Sequence, residues 1–339
     1  MKLLIFTDNH FCETSSIVRG FGVKYTVRLE NQITSLNWLE RLAEEQNCDG
    51  VICAGDFFDK PTLTDTELTA LRDIEWSKIP HAFLVGNHES SVNGLRFNSA
   101  KALEGPGRSV ISESKAIMAG DCEICFLPYI VESDRKPIFN YFGKKTSKRV
   151  IFSHNDIKGI QMGPIISQTG FELDDLSASA DLVVNGHLHN GQKVAPNVSN
   201  LGNLTGQNFS EDAQRYAHNI MLLDTNTLEY ELIENPHAFN FYKLEVKGHT
   251  DLAQLSKLKP NAVLSVSCKK GLLEDVQSEI ARANVVESRV IAVQDPTEQA
   301  TEADISDLTV DHIAKFVECA KAQLGESKIL EEELSEICR

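Results

Sequence analysis

At 339 residues the chain is long enough for about two domains and a sizeable core, and its 42% hydrophobic and 24% charged content argues against disorder. A net charge of −16 argues against a protein that coats nucleic acid by bulk attraction, although local basic patches or bound cations can still draw in phosphates. No stretch approaches the roughly 20 apolar residues needed to cross a bilayer, and Met1-Lys2-Leu3 opens directly into a short strand, so a cytoplasmic protein is expected.

Eight cysteines scattered along the chain fit reduced thiols better than a disulfide framework. Cys122 and Cys125 have the spacing of a zinc knuckle, but they lie in an alternating run, and residues three apart on a strand face opposite sides. A knuckle is therefore not expected there.

In chain order, Lys2 to Thr7 reads as a first strand and Arg28 to Gln46 as a helix, because Ile33, Leu36, Leu39 and Ala43 fall on one face. The long loop between them carries Gly20, Gly22, Arg19 and Lys24, which suits a substrate-facing segment and a plain surface loop equally well. Gly50 to Ala54 reads as a second strand. Thr64-Asp65-Thr66-Glu67 has the form of a capping box and predicts a helix running to about Trp76. His81 to Val85 is a third strand, and the order β-α-β-α-β marks a layered α/β domain.

Further strands are expected at Ser109 to Ile111, Ala116 to Ala119, Glu123 to Tyr129, Val150 to Phe152, Asp181 to Asn185, Lys193 to Ala195, His218 to Asp224 and Leu228 to Ile233. Between Arg135 and Arg149, basic residues interleave with Tyr141 and Phe142. That pattern can contact a nucleic-acid backbone, but a solvated helix face and turn is the favoured reading. Beyond Phe239 to Val246 the composition changes. Ala262 to Ser267, a helix from about Leu272 to Ala283, and Arg289 to Val293 form a small β-α-β unit after a boundary near Lys247 to Thr250. Two terminal helices, Val310 to Leu324 and Lys328 to Ile337, carry apolar stripes at helical spacing.

The functional signal is what stands at the strand ends. Asp8 and His10 follow the first strand, and Gly55-Asp56-Phe57-Phe58-Asp59 follows the second. Gly86-Asn87-His88-Glu89 follows the third, while His154 and Gly186-His187-Leu188-His189 follow two later ones. Loops at the carboxyl ends of strands in an open α/β sheet line one crevice, so residues far apart in sequence converge there. Carboxylates, imidazoles and an amide oxygen without a thiolate make a donor set for Mn²⁺ or Fe²⁺ rather than for structural zinc.

In that order, these motifs resemble the five signatures of the calcineurin-like metallophosphoesterases. Within that superfamily, Gly55 to Pro61 and the run from Asn200 to Phe209 are most similar to the SbcD-type nuclease subunits of double-strand-break repair. Glu89 stands where those nucleases usually carry Asp, and Phe11-Cys12 where they often have Leu-Gly.

The resemblance implies a layered α/β fold, a metallophosphoesterase β-sandwich flanked by helices, with a small C-terminal α+β cap and a terminal helical hairpin. The corresponding divisions are residues 1–248, 249–300 and 301–339. It implies two divalent cations, Mn²⁺ ahead of Fe²⁺ or Mg²⁺. One would be held by Asp8, His10, Asp56 and His189, and the other by Asp56, Asn87, His154 and His187. His88 would act as general acid, with Asp59 behind it orienting a ligand. The implied activity is two-metal phosphodiester hydrolysis of DNA, with DNA, an SbcC-type ATPase and a second copy of the chain as partners, in the cytoplasm or, for a viral member, the host cytoplasm. The competing readings are a phosphomonoesterase or cyclic-nucleotide phosphodiesterase on the same metals, and a non-enzymatic scaffold.

Overall fold

The computed structural model describes residues 1–91, 94–162 and 165–293; the two terminal helices expected within 301–339 lie outside them. In chain order the strands begin with β1 (Lys2–Phe6), β2 (Gly50–Cys53), β3 (His81–Leu84), β4 (Ser90–Ser91), β5 (Gly94–Asn98), β6 (Arg108–Ile111), β7 (Lys115–Ala119), β8 (Cys122–Leu127) and β9 (Lys148–Ser153). They continue with β10 (Gln161–Met162), β11 (Ile165–Ile166), β12 (Leu182–Asn185), β13 (Gln192–Ala195), β14 (Val198–Asn200), β15 (Asn219–Asp224) and β16 (Tyr230–Glu234). The last three are β17 (Asn240–Val246), β18 (Ala262–Lys269) and β19 (Glu287–Val293). The α-helices are α1 (Val27–Glu45), α2 (Asp65–Ala70), α3 (Phe139–Phe142), α4 (Leu173–Ser179) and α5 (Leu273–Arg282).

Two six-stranded sheets form the body, in the orders β16-β15-β1-β2-β3-β6 and β13-β14-β12-β9-β8-β7. Four consecutive strands of each run parallel, β1, β2, β3 and β6 in the first and β14, β12, β9 and β8 in the second. Alternation along each strand divides its side chains between two cores. Leu3, Ile5, Ile52 and Leu84 of the first sheet meet Ile124, Phe126, Val150, Phe152 and Val184 of the second between the sheets. Leu4, Phe6, Val51 and Phe83 face outward onto Leu29, Leu36 and Leu39 of α1. On the far side, Leu127, Ile151 and Val183 pack with Leu176 of α4. The layers are thus helix, sheet, sheet, helix.

Cys122 belongs to the core between the sheets and Cys125 to the core beyond the second one, the opposite facing expected of a strand. All six described cysteines are free and buried. No helix among the described residues is long and apolar enough to cross a membrane.

Helix α1 starts at Thr26, whose side chain accepts from the Leu29 N–H. The capping box at Thr64 is present, with Thr64 Oγ1 accepting from the Glu67 N–H and Glu67 accepting from the Thr64 N–H. That helix ends at Ala70 rather than near Trp76, and one 3₁₀ turn, Leu71–Asp73, follows. Tertiary bonds override its propensity. Lys24 Nζ (2.6 Å) and the Tyr25 hydroxyl (2.8 Å) both reach the Asp73 carboxylate, and Asn37 donates to its carbonyl.

The basic stretch from Arg135 to Arg149 is largely neutralised within the fold. Arg135 pairs with Asp156, Lys145 with Asp181, Lys148 with Asp121, and the buried Arg149 with Glu123.

Strands β17, β18 and β19 form a separate three-stranded sheet. Tyr242, Leu244, Val246, Leu264 and Val266 pack with Val276 and Ile280 of α5 on one of its faces. On the other face, Phe241 and Val263 meet Phe239 and Val18 of the long first loop. Met1–Cys268 and Leu272–Ile291 form one compact unit.

Candidate metal centre

The five strand ends that carry the signature residues belong to both sheets: β1, β2 and β3 in one, β9 and β12 in the other. At the ends of β1, β2 and β12 the chain turns sharply. Asp8, His10, Asp56 and His187 all have left-handed backbone, with φ of 50°, 47°, 50° and 77°. Asp and His tolerate this region better than most residues, yet each such position costs on the order of 1–3 kcal/mol and persists only where its surroundings enforce it. Enforcement is visible. The Asp8 N–H bonds to the Gly55 carbonyl and the His10 N–H to the Asp56 carbonyl, so the first two loops zip together. At Gly86 a side chain would overlap the Asp56 carboxylate, and at Gly55 it would overlap the His154 ring, so glycine lets the ligating groups approach.

Four imidazoles converge with a common orientation. In each, one ring nitrogen is pinned outward to an oxygen, so that it must carry the proton and the other nitrogen presents its lone pair inward. His10 Nδ1 lies 3.1 Å from Asp59 Oδ1, His189 Nδ1 2.9 Å from Glu211 Oε1, His154 Nδ1 2.8 Å from the Ala54 carbonyl, and His187 Nε2 2.8 Å from Asp156 Oδ1. The inward nitrogens then face other acceptors. The Nε2 atoms of His10 and His189 are 3.0 Å apart. His154 Nε2 is 3.0 Å from Asp56 Oδ2 and 3.3 Å from Asn87 Oδ1, and His187 Nδ1 is 2.9 Å from Asn87 Oδ1. Asp8 Oδ1 is buried without a hydrogen-bond partner. Lone pairs pointing at lone pairs are unfavourable unless a proton or a cation sits among them, and this donor set fits divalent cations.

Asp8, His10 and His189 form one group with ligand atoms within 4.8 Å of one another, and Asp56, His154 and His187 form a second. Asp56 lies between them, its Oδ2 3.9 Å from His10 Nε2 and 3.0 Å from His154 Nε2. A third group joins His10, Asp56 and His88, so reach alone offers His88 as a ligand too. His88 differs from its neighbours in exposure. Its side chain is 41% accessible, against 1% for His10 and 0% for His154. Its Nδ1 donates to the Asp59 carbonyl (2.9 Å) and its backbone N–H to Asp56 Oδ1 (2.9 Å).

The electrostatics of the site follow from burial set against the close approach of acids and imidazoles. Burial pushes His10 down, but hydrogen bonds to Asp59 and Asp8 outweigh it and bring it up to about 10. His154 is likewise lowered by burial and raised by the Asp56 and Asp8 charges, to about 9. Burial raises Asp8, and the neighbouring histidines pull it down to about 2; Asp56 is held below the usual carboxylate range in the same way. Glu89 goes the other way, pushed up to about 7 by burial and the Asp56 charge. It accepts from the Gly86 N–H (2.6 Å) and the Phe58 N–H (3.0 Å), which ties the third strand's loop to the second's.

Three supports were not evident from the sequence. Glu211, fully buried, accepts from His189, Asn203, Gln207 and Asn208. Asp156 accepts from His187 and is gripped by Arg135 at 2.6 Å. Arg28, at the start of α1, donates to the His10 carbonyl and to Gln207. Asp156 stands only two residues after His154, and Glu211 just beyond the run from Asn200 to Phe209. Those are the only sequence hints they carry.

Residues 1–191, a span that includes every signature position, match the family model described as calcineurin-like phosphoesterase. A relative named as a phosphoesterase, 244L of Invertebrate iridescent virus 6, is 27% identical over 161 residues, 45% of this chain and 56% of that protein. The chain thus spans about half the length of the curated relative it matches. Among solved structures, an archaeal phosphodiesterase (14% identity, TM-score 0.36) matches over 69% of this chain and 99% of its own. A dimetal phosphatase from Danio rerio (12%, 0.40) matches over 69% and 98%. Superpositions at this level carry no weight for activity or substrate. The family model covers more than half of the chain, and with it the chain belongs to the calcineurin-like phosphoesterase family.

Proposed function

We propose that the protein is a two-metal phosphodiesterase that cleaves DNA, of the kind represented by SbcD-type nuclease subunits. The observation that carries the phosphoesterase part is the position of Asp56 between two groups of inward-facing ligands, each completed by imidazoles whose outer nitrogens are already occupied. Asp8, His10, Asp56 and His189 would hold one cation, and Asp56, Asn87, His154 and His187 the other. When bound, such a pair acidifies water and neutralises charge on a phosphodiester. His88 has its Nδ1–H engaged by the Asp59 carbonyl and a third or more of its surface open, so its Nε2 is free to hold a proton for the leaving oxygen. Asp59 fixes the ring of His10 through Nδ1 and the ring of His88 through its carbonyl. Two further features support a nucleic-acid substrate over a small monoester: Asp59 is followed by Lys60-Pro61 as in the nucleases, and the sheet of β17, β18 and β19 extends the wall of the molecule beside the long first loop. The division into a catalytic part at 1–248, a cap at 249–300 and an ATPase-binding segment at 301–339 belongs to the same proposal, as does Mn²⁺ as the working metal.

The test is one assay of the purified chain with Mn²⁺ on end-labelled linear DNA, p-nitrophenyl phosphate and bis-p-nitrophenyl phosphate. Cleavage of DNA and of the bis-ester is expected. Preference for the monoester, with DNA left intact, would return the chain to the phosphatases.

A further inference from the structure

A cavity of about 280 Å³ lies between the long first loop and strand β19, and its wall includes Ser16, Arg19, Phe209, Glu287, Ser288 and Arg289. Its floor is rigid. Phe209 packs edge-on against Phe241 (5.2 Å, 89°), which is 1% exposed and shares a small apolar cluster with Val18 and Val263. Val18, itself buried, anchors the loop and leaves Arg19 at the rim. The Arg289 guanidinium carbon sits 5.8 Å from the centroid of the Phe209 ring, within cation–π range, and the group donates to Ser265 Oγ (3.1 Å). Arg19 donates through Nε to the Ser16 carbonyl (2.9 Å), which directs its remaining nitrogens away from the backbone. Among the described residues neither guanidinium pairs with a carboxylate. Their charge is therefore not cancelled locally and stays available to an anionic group entering the cavity.

The cavity is also connected to the candidate centre. Asn208, next to Phe209, donates to Glu211 at 3.1 Å, and Glu211 in turn accepts from His189.

We propose that this cavity is a nucleotide subsite that takes one unpaired base and its phosphate from a single-stranded segment of the substrate; the proposal rests on the nuclease reading above. The base stacks on the plane of Arg289, next to the Phe209 ring. Its phosphate meets Arg19, with the Ser16 and Ser288 hydroxyls as further donors. Glu287 accepts from an exocyclic amine of the base and disfavours a free inorganic anion. A duplex keeps its bases paired and cannot deliver one into a cavity of this size, so the site selects single strands.

Binding is measured by fluorescence anisotropy of a labelled single-stranded dodecamer in EDTA, where no hydrolysis occurs, over a range of salt concentrations. The Arg19→Ala/Arg289→Ala double variant of the full chain is expected to raise Kd about tenfold, with the slope of log K against log salt reduced by about 0.7 for the lost phosphate contact. Arg289→Lys, which keeps the charge and loses the plane, should fall between, and it covers the case in which the double variant fails to fold. Unchanged melting temperatures and Mn²⁺ content show that the variants are intact. No binding to the unmodified chain, equal binding by the variants, or a blunt duplex bound as tightly as the single strand would each overturn the subsite. Failure of the nuclease reading shows separately, as absence of DNA cleavage by the unmodified chain with Mn²⁺.

Discussion

The two flanks of the centre fix their histidines by different means. On one, His189 is held by Glu211, a carboxylate with no exposed surface whose oxygens take four donors from the chain. On the other, His187 is held by Asp156, whose side chain is 19% exposed and which is itself steadied by the Arg135 ion pair. Both arrangements leave one lone pair of an imidazole aimed inward. The buried version is insensitive to salt and costly to disturb, because every donor it loses is stranded. The Asp156–Arg135 pair, 19% and 7% exposed, is reached by salt more than Glu211 is, though less than a surface pair would be.

The largest effect is expected from removing the group common to both flanks. Asp56→Ala should abolish hydrolysis and metal binding together, with the fold retained; metal analysis finding two tightly held ions per chain would break the assignment of Asp56 as the bridge. His88→Ala leaves Glu211 and Asp156, the outer supports of the two flanks, in place. It should keep both metals and substrate affinity while kcat falls by about 10²-fold or more, and a loss of metal content instead would make His88 a ligand.

Protons should report on metal binding. His10 and His154, raised to about 10 and about 9, are charged at neutral pH and must give up protons before their lone pairs can serve a cation. Mn²⁺ binding is therefore expected to release protons and to tighten as pH rises toward 9, which calorimetry in buffers of different ionisation heat reads directly. The sign for the fold runs oppositely. Raised histidines stabilise the cation-free chain fully below about 6.5, and that contribution is lost as pH rises through about 9 and 10. In EDTA the chain should melt at a lower temperature at pH 9 than at pH 6.

The comparison of flanks is sharpened by Glu211→Gln against Asp156→Asn. Each should weaken metal binding by about 10- to 100-fold, Glu211→Gln more and equally at low and high salt. The effect of Asp156→Asn should shrink as salt weakens the Arg135 pair in the unmodified chain; the same salt dependence for both variants would erase the distinction. The smallest effect on chemistry is expected from truncation near Thr301. Mn²⁺-dependent cleavage of short DNA should persist while association with an SbcC-type ATPase is lost, and co-purification at undiminished affinity would place that interface elsewhere.

The strands and helices named from the sequence were legible because each of those runs carries its own period, while α4 and β14 were not among them. The alternation of Cys122 to Leu127 divides that strand between two cores, and the stripe of Ile33, Leu36, Leu39 and Ala43 faces a third. The extent of α2 was not legible, since Asp73 is drawn out of the helix by Lys24 and Tyr25, 49 and 48 residues away.

The candidate centre divides in the same way. Asp8, His10, Asp56, Asn87, His88, His154, His187 and His189 could be named from the sequence because each follows a strand, and the end of a strand in a parallel sheet is a place determined by local pattern. That they belong to two sheets, that four of the histidines turn one lone pair inward, and that Glu211, Asp156 and Arg28 stand behind them depend on chain crossings and hydrogen bonds between residues far apart. No local period encodes such partners, so only the tertiary structure decides them.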